Sequence, residues 1–213
     1  FNNKKDYLSY PKSLKKDLNI LKKLKVNYVY IPNKKDIYSF KRKKEIVLKK
    51  KYKVLCAKFR KGHFEGVIDV MDRLTNIIKP HKIFMGEKDY QQLLLVKKFI
   101  EKKYETKIVS CKTVRNKDKL ALSSRNQLLN KKDLIKASKI AKELFHFKKF
   151  LRNNKKTKNL LQKKIELLKN NFDIKIDYLE IRKKNNLKSS LNIRNSKIFI
   201  AYFINKVRLI DNF

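Results

Sequence analysis

Apolar positions recur along this chain with a helical period in some stretches and crowd into short β-branched runs in others. Residues 13–25 place Leu14, Leu18, Leu21 and Leu24 on one helical face, with Ser13 as N-cap just after Pro11. Residues 26–31, VNYVYI, stop at Pro32 and predict a strand. Residues 33–53 hold ten basic residues and no sustained period, which predicts an exposed loop with a short strand near 46–48. Residues 64–79 put Phe64, Val67, Ile68, Met71, Leu74, Ile77 and Ile78 on one face of a clear helix, and Pro80 ends it. A strand at 82–85, a helix at 89–103 and a strand at 107–111 follow. That alternation predicts a parallel, doubly wound α/β sheet.

Beyond Leu128 the order changes. Helical stretches at 131–150 and 157–171, separated by a polar turn at 153–158, precede strand-like runs at 174–181, 197–204 and 206–210. Helices followed by consecutive strands predict a small α+β unit rather than more of the wound sheet. A length of 213 residues suits one large or two small domains, and no segment repeats.

Composition narrows the class. With 42% apolar residues, 13 Phe and 10 Tyr, the chain can bury a core. No apolar run approaches the ~20 residues of a membrane span, and there is no signal-type N-terminus, so a cytoplasmic location is the default. Cys56 and Cys111 lack zinc or redox spacing and are each read as a buried reduced thiol. The formal charge is +39, from 58 Lys+Arg against 19 Asp+Glu. Such a charge suits nucleic acid through counterion release. Yet 49 of those cations are Lys and 9 are Arg, whereas nucleic-acid surfaces favour the bidentate fork of Arg. The lysines also run from end to end, which favours a lysine coat on solvated faces. Anionic small substrates would be attracted in either case.

Three short segments carry candidate chemistry. Gly62, Gly66 and Gly86 are the only glycines, so each is expected where the backbone needs its freedom. Gly86 stands between the strand at 82–85 and the helix at 89–103, where an open α/β sheet binds phosphate ligands. In that turn Lys88 can neutralise phosphate charge, and Asp89 can accept from ribose hydroxyls or cap the helix. Gln91 and Gln92 are either a polar binding pair or one exposed helical turn. Upstream, in Arg60-Lys61-Gly62-His63-Phe64-Glu65-Gly66, Arg60 is the better phosphate candidate. His63 reads more simply as a helix-entry residue whose ring satisfies a backbone carbonyl. Downstream, Leu122-Ser123-Ser124-Arg125-Asn126 offers hydroxyls and a guanidinium to a polyphosphate, or a helix N-cap region. There is no P-loop and no Gly-x-Gly-x-x-Gly, and His63, His81 and His146 have no metal-ligand spacing.

In this order and spacing, the three segments resemble the pantothenate synthetase (pantoate–β-alanine ligase) family. The family's Arg-Pro-Gly-His-Phe-x-Gly is similar to residues 60–66, with Lys61 in place of proline. Its Phe-Gly-Glu-Lys-Asp-Tyr/Phe-Gln-Gln-Leu is similar to residues 84–93, with Met85 ahead of the glycine. Its Asp-Gly-Leu-Ala-x-Ser-Ser-Arg-Asn is similar to residues 118–126, with Lys119 in place of glycine. Tyr10-Pro11 and the Arg-Leu-Ile-Asp-Asn at 208–212 match as well, so the likeness runs nearly the whole chain. The resemblance implies a Rossmann-like nucleotidyltransferase domain, here residues 1–113, and a small C-terminal α+β lid domain, residues 114–213. It implies ATP-dependent condensation of pantoate with β-alanine through a pantoyl adenylate, with Mg2+ accompanying the nucleotide and a homodimeric enzyme. It places Gly86, Glu87 and Asp89 at ATP, with Lys88 and Arg125 as catalytic cations. It sets the Val114 backbone at adenine and Leu122, Ser123, Ser124 and Arg125 over the phosphates. Gln92, Tyr10 and Arg60 would face pantoate.

One departure stands out. The family opens with a strand, a Met-Gly-x-Leu-His-x-Gly-His-type loop and a second strand ending in glutamine, and none of these occurs in residues 1–213. Phe1 aligns just after that glutamine. The expectation is an active full-length enzyme, with the segment from Phe1 inactive and poorly folded alone. One alternative is a basic nucleic-acid-binding protein on a degenerate nucleotidyltransferase scaffold, which would need a clustered Arg/aromatic surface. Another is a different adenylyl or cytidylyl transferase, which Gln91-Gln92 and the Ser-Ser-Arg-Asn run disfavour.

Overall fold

The structure, a computed structural model, describes residues 8, 10–39, 45–153 and 157–213, with the side chains of residues 157 and 158 excepted. Ser13 accepts from the Lys16 amide at 3.4 Å and opens helix α1, Leu14–Lys23. The predicted helix forms, but none of its residues is fully buried among the described residues: Leu14 and Leu24 of the stripe stay exposed, and Leu18 and Leu21 are half-buried. The run at 26–31 is not a strand. It joins neither sheet, so its amides have no ladder to enter, and Tyr28 is 93% exposed. The expected strand near 46–48 is also irregular; Leu48 is instead a buried core residue. The basic loop carries two single turns, helix α2 at Lys34–Ile37 and a 3-10 turn at Lys50–Tyr52. Its residues 40–44, and 154–156 of the predicted polar turn, lie outside the described residues.

A one-turn helix α3, Cys56–Phe59, leads to α4, His63–Ile78. The end of α4 departs from the apolar pattern. Ile77 and Ile78 are exposed, while Asp72 and Thr75 are buried. Asp72 is held by Tyr104 at 2.7 Å and by Lys103 at 2.8 and 3.0 Å, and these bonds offset its desolvation. Strand β1, Lys82–Gly86, pairs in parallel with β2, Lys107–Cys111, and α5, Tyr90–Lys103, connects them. This is the predicted strand–helix–strand unit. Leu93, Leu94, Leu95, Val96 and Ile100 of α5 are buried, each contributing roughly 1.5–3 kcal/mol. Cys56 is buried as expected, but Cys111 is exposed at the C-terminal end of β2.

The second half is built as its pattern predicts. Helices α6, Lys131–Arg152, and α7, Thr157–Phe172, precede three strands. These are β3, Lys175–Lys183, β4, Ser196–Ile204, and β5, Val207–Asn212, in an antiparallel meander of order β3-β4-β5. One sheet face covers α6 and α7 through Ile181, Ile198 and Ile200. Tyr178, Phe199 and Ala201 pack instead with Leu55, Phe64, Leu94 and Leu95 from the first half. The sheet therefore belongs to both cores, and its last strand, β5, runs alongside the turn after β1. Among the described residues no helix is long and apolar enough to cross a membrane.

Candidate active site

The turn after β1 is a single 3-10 turn, Glu87–Asp89, that passes directly into α5. Gly86 sits there with φ −70, an ordinary extended value, and a Cβ added to it would meet nothing. The expectation that this backbone needs glycine is thus corrected, as it is for Gly66. Of the three glycines only Gly62, at φ +74, occupies the left-handed region. Asp89 precedes α5 but makes no capping hydrogen bond; its carboxylate lies 3.7 Å from the Lys88 ammonium. Lys88 is mostly buried and lines a cleft together with Asp89, Gln92, Arg60 and His63. Two of the three sequence segments therefore meet in one place.

At the entrance of α4, His63 Nε2 lies 3.0 Å from Arg60 Nη1. A guanidinium only donates, so the imidazole accepts and is neutral. Its partner is that cation rather than the expected backbone carbonyl. Burial, then the charges of Arg60, Arg125 and Arg208, lower its pKa to about 4. The imidazole also contacts the Phe64 ring at 5.0 Å between centroids.

The third segment lies beside this cleft rather than in its wall. Ser123 caps a short 3-10 helix, Ser124–Leu128, by accepting from the Arg125 amide at 3.3 Å. Ser124 shares a 2.6 Å hydrogen bond with the Tyr10 hydroxyl, and the Arg125 guanidinium stands 5.4 Å from the centre of that ring. Val114 and Leu122 are exposed and bonded to each other, the Leu122 amide donating to the Val114 carbonyl at 3.0 Å. Arg125 is near enough to act on His63, and its position ties the segment electrostatically to the cleft.

Several contributors take roles that the sequence did not assign. Gln91 is neither exposed nor a cleft donor. It accepts from the Cys56 amide at 3.1 Å and donates to the Tyr52 and Val54 carbonyls at 3.2 and 2.8 Å. Tyr178, whose hydroxyl burial pushes up in pKa, lies 3.1 Å from Cys56 Sγ in the cleft floor, and Arg208 Nη1 approaches the same sulfur at 3.7 Å. Arg208 Nε donates to Asp177 at 2.8 Å. Asp211 and Asn212, at the end of β5, complete the wall. The only signal for the last pair was the Arg-Leu-Ile-Asp-Asn run at 208–212. Chemically, the cleft combines the mostly buried Lys88 ammonium, the Arg60 guanidinium and a neutral imidazole, with Arg125 beside it, an arrangement suited to a polyanion.

A family profile described as Pantoate-beta-alanine ligase matches residues 1–213. Curated relatives include the pantothenate synthetases of Thermosipho africanus, 34% identical over 216 residues, and of Clostridium botulinum, 37% identical over 216 residues. Each alignment covers 100% of this chain and 77% of the relative. Among solved structures, pantothenate synthetase from Thermus thermophilus superposes with a TM-score of 0.91 at 28% identity, covering 100% of this chain and 78% of that one. Pantoate-beta-alanine ligase from Francisella tularensis, complexed with beta-gamma ATP and beta-alanine, superposes at 0.79 with 36% identity, covering 100% and 74%.

Proposed function

The chain belongs to the pantoate–β-alanine ligase family, and from that premise we propose how its own residues serve the reaction. The enzyme is a ligase that joins pantoate and β-alanine at the expense of ATP. A pantoate carboxylate oxygen attacks the α-phosphorus of ATP and pyrophosphate leaves. The β-alanine amine then adds to the acyl carbon of the pantoyl adenylate, and AMP departs as the amide forms. Both steps ask the protein for positioning and charge neutralisation rather than covalent help.

The observation that carries this reading is the meeting of Lys88, Arg60 and Gln92 in one cleft, with Arg125 near enough to act on it. Lys88 neutralises the charge developing at the reacting phosphates, with Arg125 as the second catalytic cation. Gly86 and Asp89 take the ribose side of ATP, Glu87 also binds the nucleotide, and the Val114 backbone takes adenine. Leu122, Ser123 and Ser124 close over the phosphates. Gln92, Tyr10 and Arg60 hold pantoate, and the neutral His63 ring keeps Arg60 aimed. Among the described residues no group of His, Cys, Asp and Glu is placed to hold a metal ion. Mg2+ is held mainly by substrate phosphates and one or two carboxylates, so it enters the proposal as the companion of the nucleotide's phosphates. The nucleotide-binding unit is residues 1–113 and the lid is 114–213. The enzyme works as a cytoplasmic homodimer, which a measured mass in solution checks; a monomer would remove that part.

The test is AMP formation by the intact protein, dependent on both pantoate and β-alanine, with pantoate-dependent exchange of pyrophosphate into ATP for the first step. Product formed without either partner, or only with another acid, overturns the assignment. Lys88→Ala is expected to slow the exchange by about 100-fold or more. An unchanged rate takes Lys88 out of the mechanism.

A further inference from the structure

Asn212, 3% exposed at the end of β5, touches the site turn twice through one group. Its Nδ2 donates to the Glu87 carbonyl at 2.8 Å and to the Lys88 carbonyl at 2.9 Å. Those two carbonyls belong to the peptide planes on either side of the Lys88 Cα. Holding both planes fixes φ and ψ of Lys88 together, and with them the direction of its Cα–Cβ bond.

The amide is anchored in turn. Its Oδ1 accepts from Lys197 Nζ at 2.8 Å, and the same ammonium lies 3.4 Å from Glu87 Oε2. An ammonium only donates, so the amide oxygen faces it and the NH2 faces the two carbonyls. Behind the side chain, Arg115 forks onto both Asp211 carboxylate oxygens at 2.7 and 2.8 Å and reaches the Asn212 carbonyl at 3.0 Å. The Arg115 guanidinium is held near the Phe145 and Phe213 rings, 4.9 and 5.0 Å from their centres. The anchor is therefore stiff from β5 outward.

We propose that Asn212 is a positioning residue for adenylate formation, acting through the backbone of Lys88 to aim its ammonium at the reacting phosphate. This rests on the role given to Lys88 above. Asn212→Asp keeps the shape but turns an oxygen toward two carbonyl oxygens. A misplacement of about 1 Å at a reacting group costs about 100-fold, so kcat for pantoate-dependent pyrophosphate exchange is expected to fall about 100-fold, with kcat/KM for β-alanine in the complete reaction unchanged. Combined with Lys88→Ala, Asn212→Asp is expected to add nothing, because both changes remove the same interaction. Full additivity, or an unchanged kcat in the single variant, overturns the proposal. Hydrogen exchange at the amides of residues 86–90 gives a readout independent of activity. Faster exchange in Asn212→Asp supports the clamp, and unchanged protection overturns it, even if the unsubstituted enzyme proved inactive with pantoate and the assigned reaction fell. If Asn212→Asp does not fold, Lys197→Met releases the amide oxygen without touching the donor. It is expected to lower kcat by about 10-fold, and an unchanged kcat there overturns the proposal as well.

Discussion

At position 119 the chain carries a lysine with φ +70, a conformation that costs an L side chain about 1–2 kcal/mol and glycine far less. The family motif has glycine at this point. Lys119→Gly is expected to raise stability by about 0.5–1 kcal/mol in chemical denaturation, and a loss would show that the lysine is not strained. His63 gives a second prediction. Its pKa falls from the ordinary 6.5 to about 4 in the fold. Between those values the unfolded chain binds a proton that the folded one does not. The stability His63 contributes is therefore complete above about pH 6.5 and is lost as pH falls toward 4. The His63 ring proton resonances should stay those of neutral imidazole through pH 5, and His63→Gln should flatten stability across that window. A midpoint near 6.5 would refute both. Gln91 is the third case. Gln91→Leu strands one buried amide and two carbonyls, which should cost about 2–4 kcal/mol by denaturant titration. Gln91 and its neighbour Gln92 both line the cleft, yet Gln91 commits its amide to the backbone of residues 52–56, a task no sequence pattern encodes.

Elements with strong periods were legible because their period is local. Helices α4, α5, α6 and α7, the parallel pair β1–β2 and the meander β3–β5 all follow from apolar spacing and turn residues. The runs at 26–31 and 46–48 were not legible, since a strand exists only with a partner, and composition alone cannot supply one. Element ends were less legible as well: α4 buries Asp72 because Lys103 and Tyr104 arrive from α5 and the turn after it. The join between β5 and the loop at 114–122 depends on Arg115. Its guanidinium and the Asp211 carboxylate are 14% and 8% exposed. Arg115→Ala leaves that carboxylate buried without its partner and should cost about 3–5 kcal/mol in thermal or denaturant melts. A loss under 1 kcal/mol would mean that β5 is held without the Arg115 fork.

Across the whole molecule, the +39 charge invites a nucleic-acid reading that the cleft does not require. Any binding to RNA or DNA is expected to be sequence-blind and to disappear between about 50 and 200 mM salt. Tight, selective binding that survives that range would restore the alternative. Phe64 and Leu94 share a core with Tyr178 and Phe199, so the proposed boundary at 113 divides tasks rather than packing. The sequence by itself determined the elements from α4 onward, their order, the two architectural halves and three chemical segments, because periodicity and short motifs are written within a few residues. Only the tertiary structure decided that β5 closes on the turn after β1, that Gln91 is a strut, and that His63 faces Arg60. The bond from Asn212 to the Glu87 carbonyl joins residues 125 positions apart. A contact at that separation exists only once both cores are packed, and no local pattern records it.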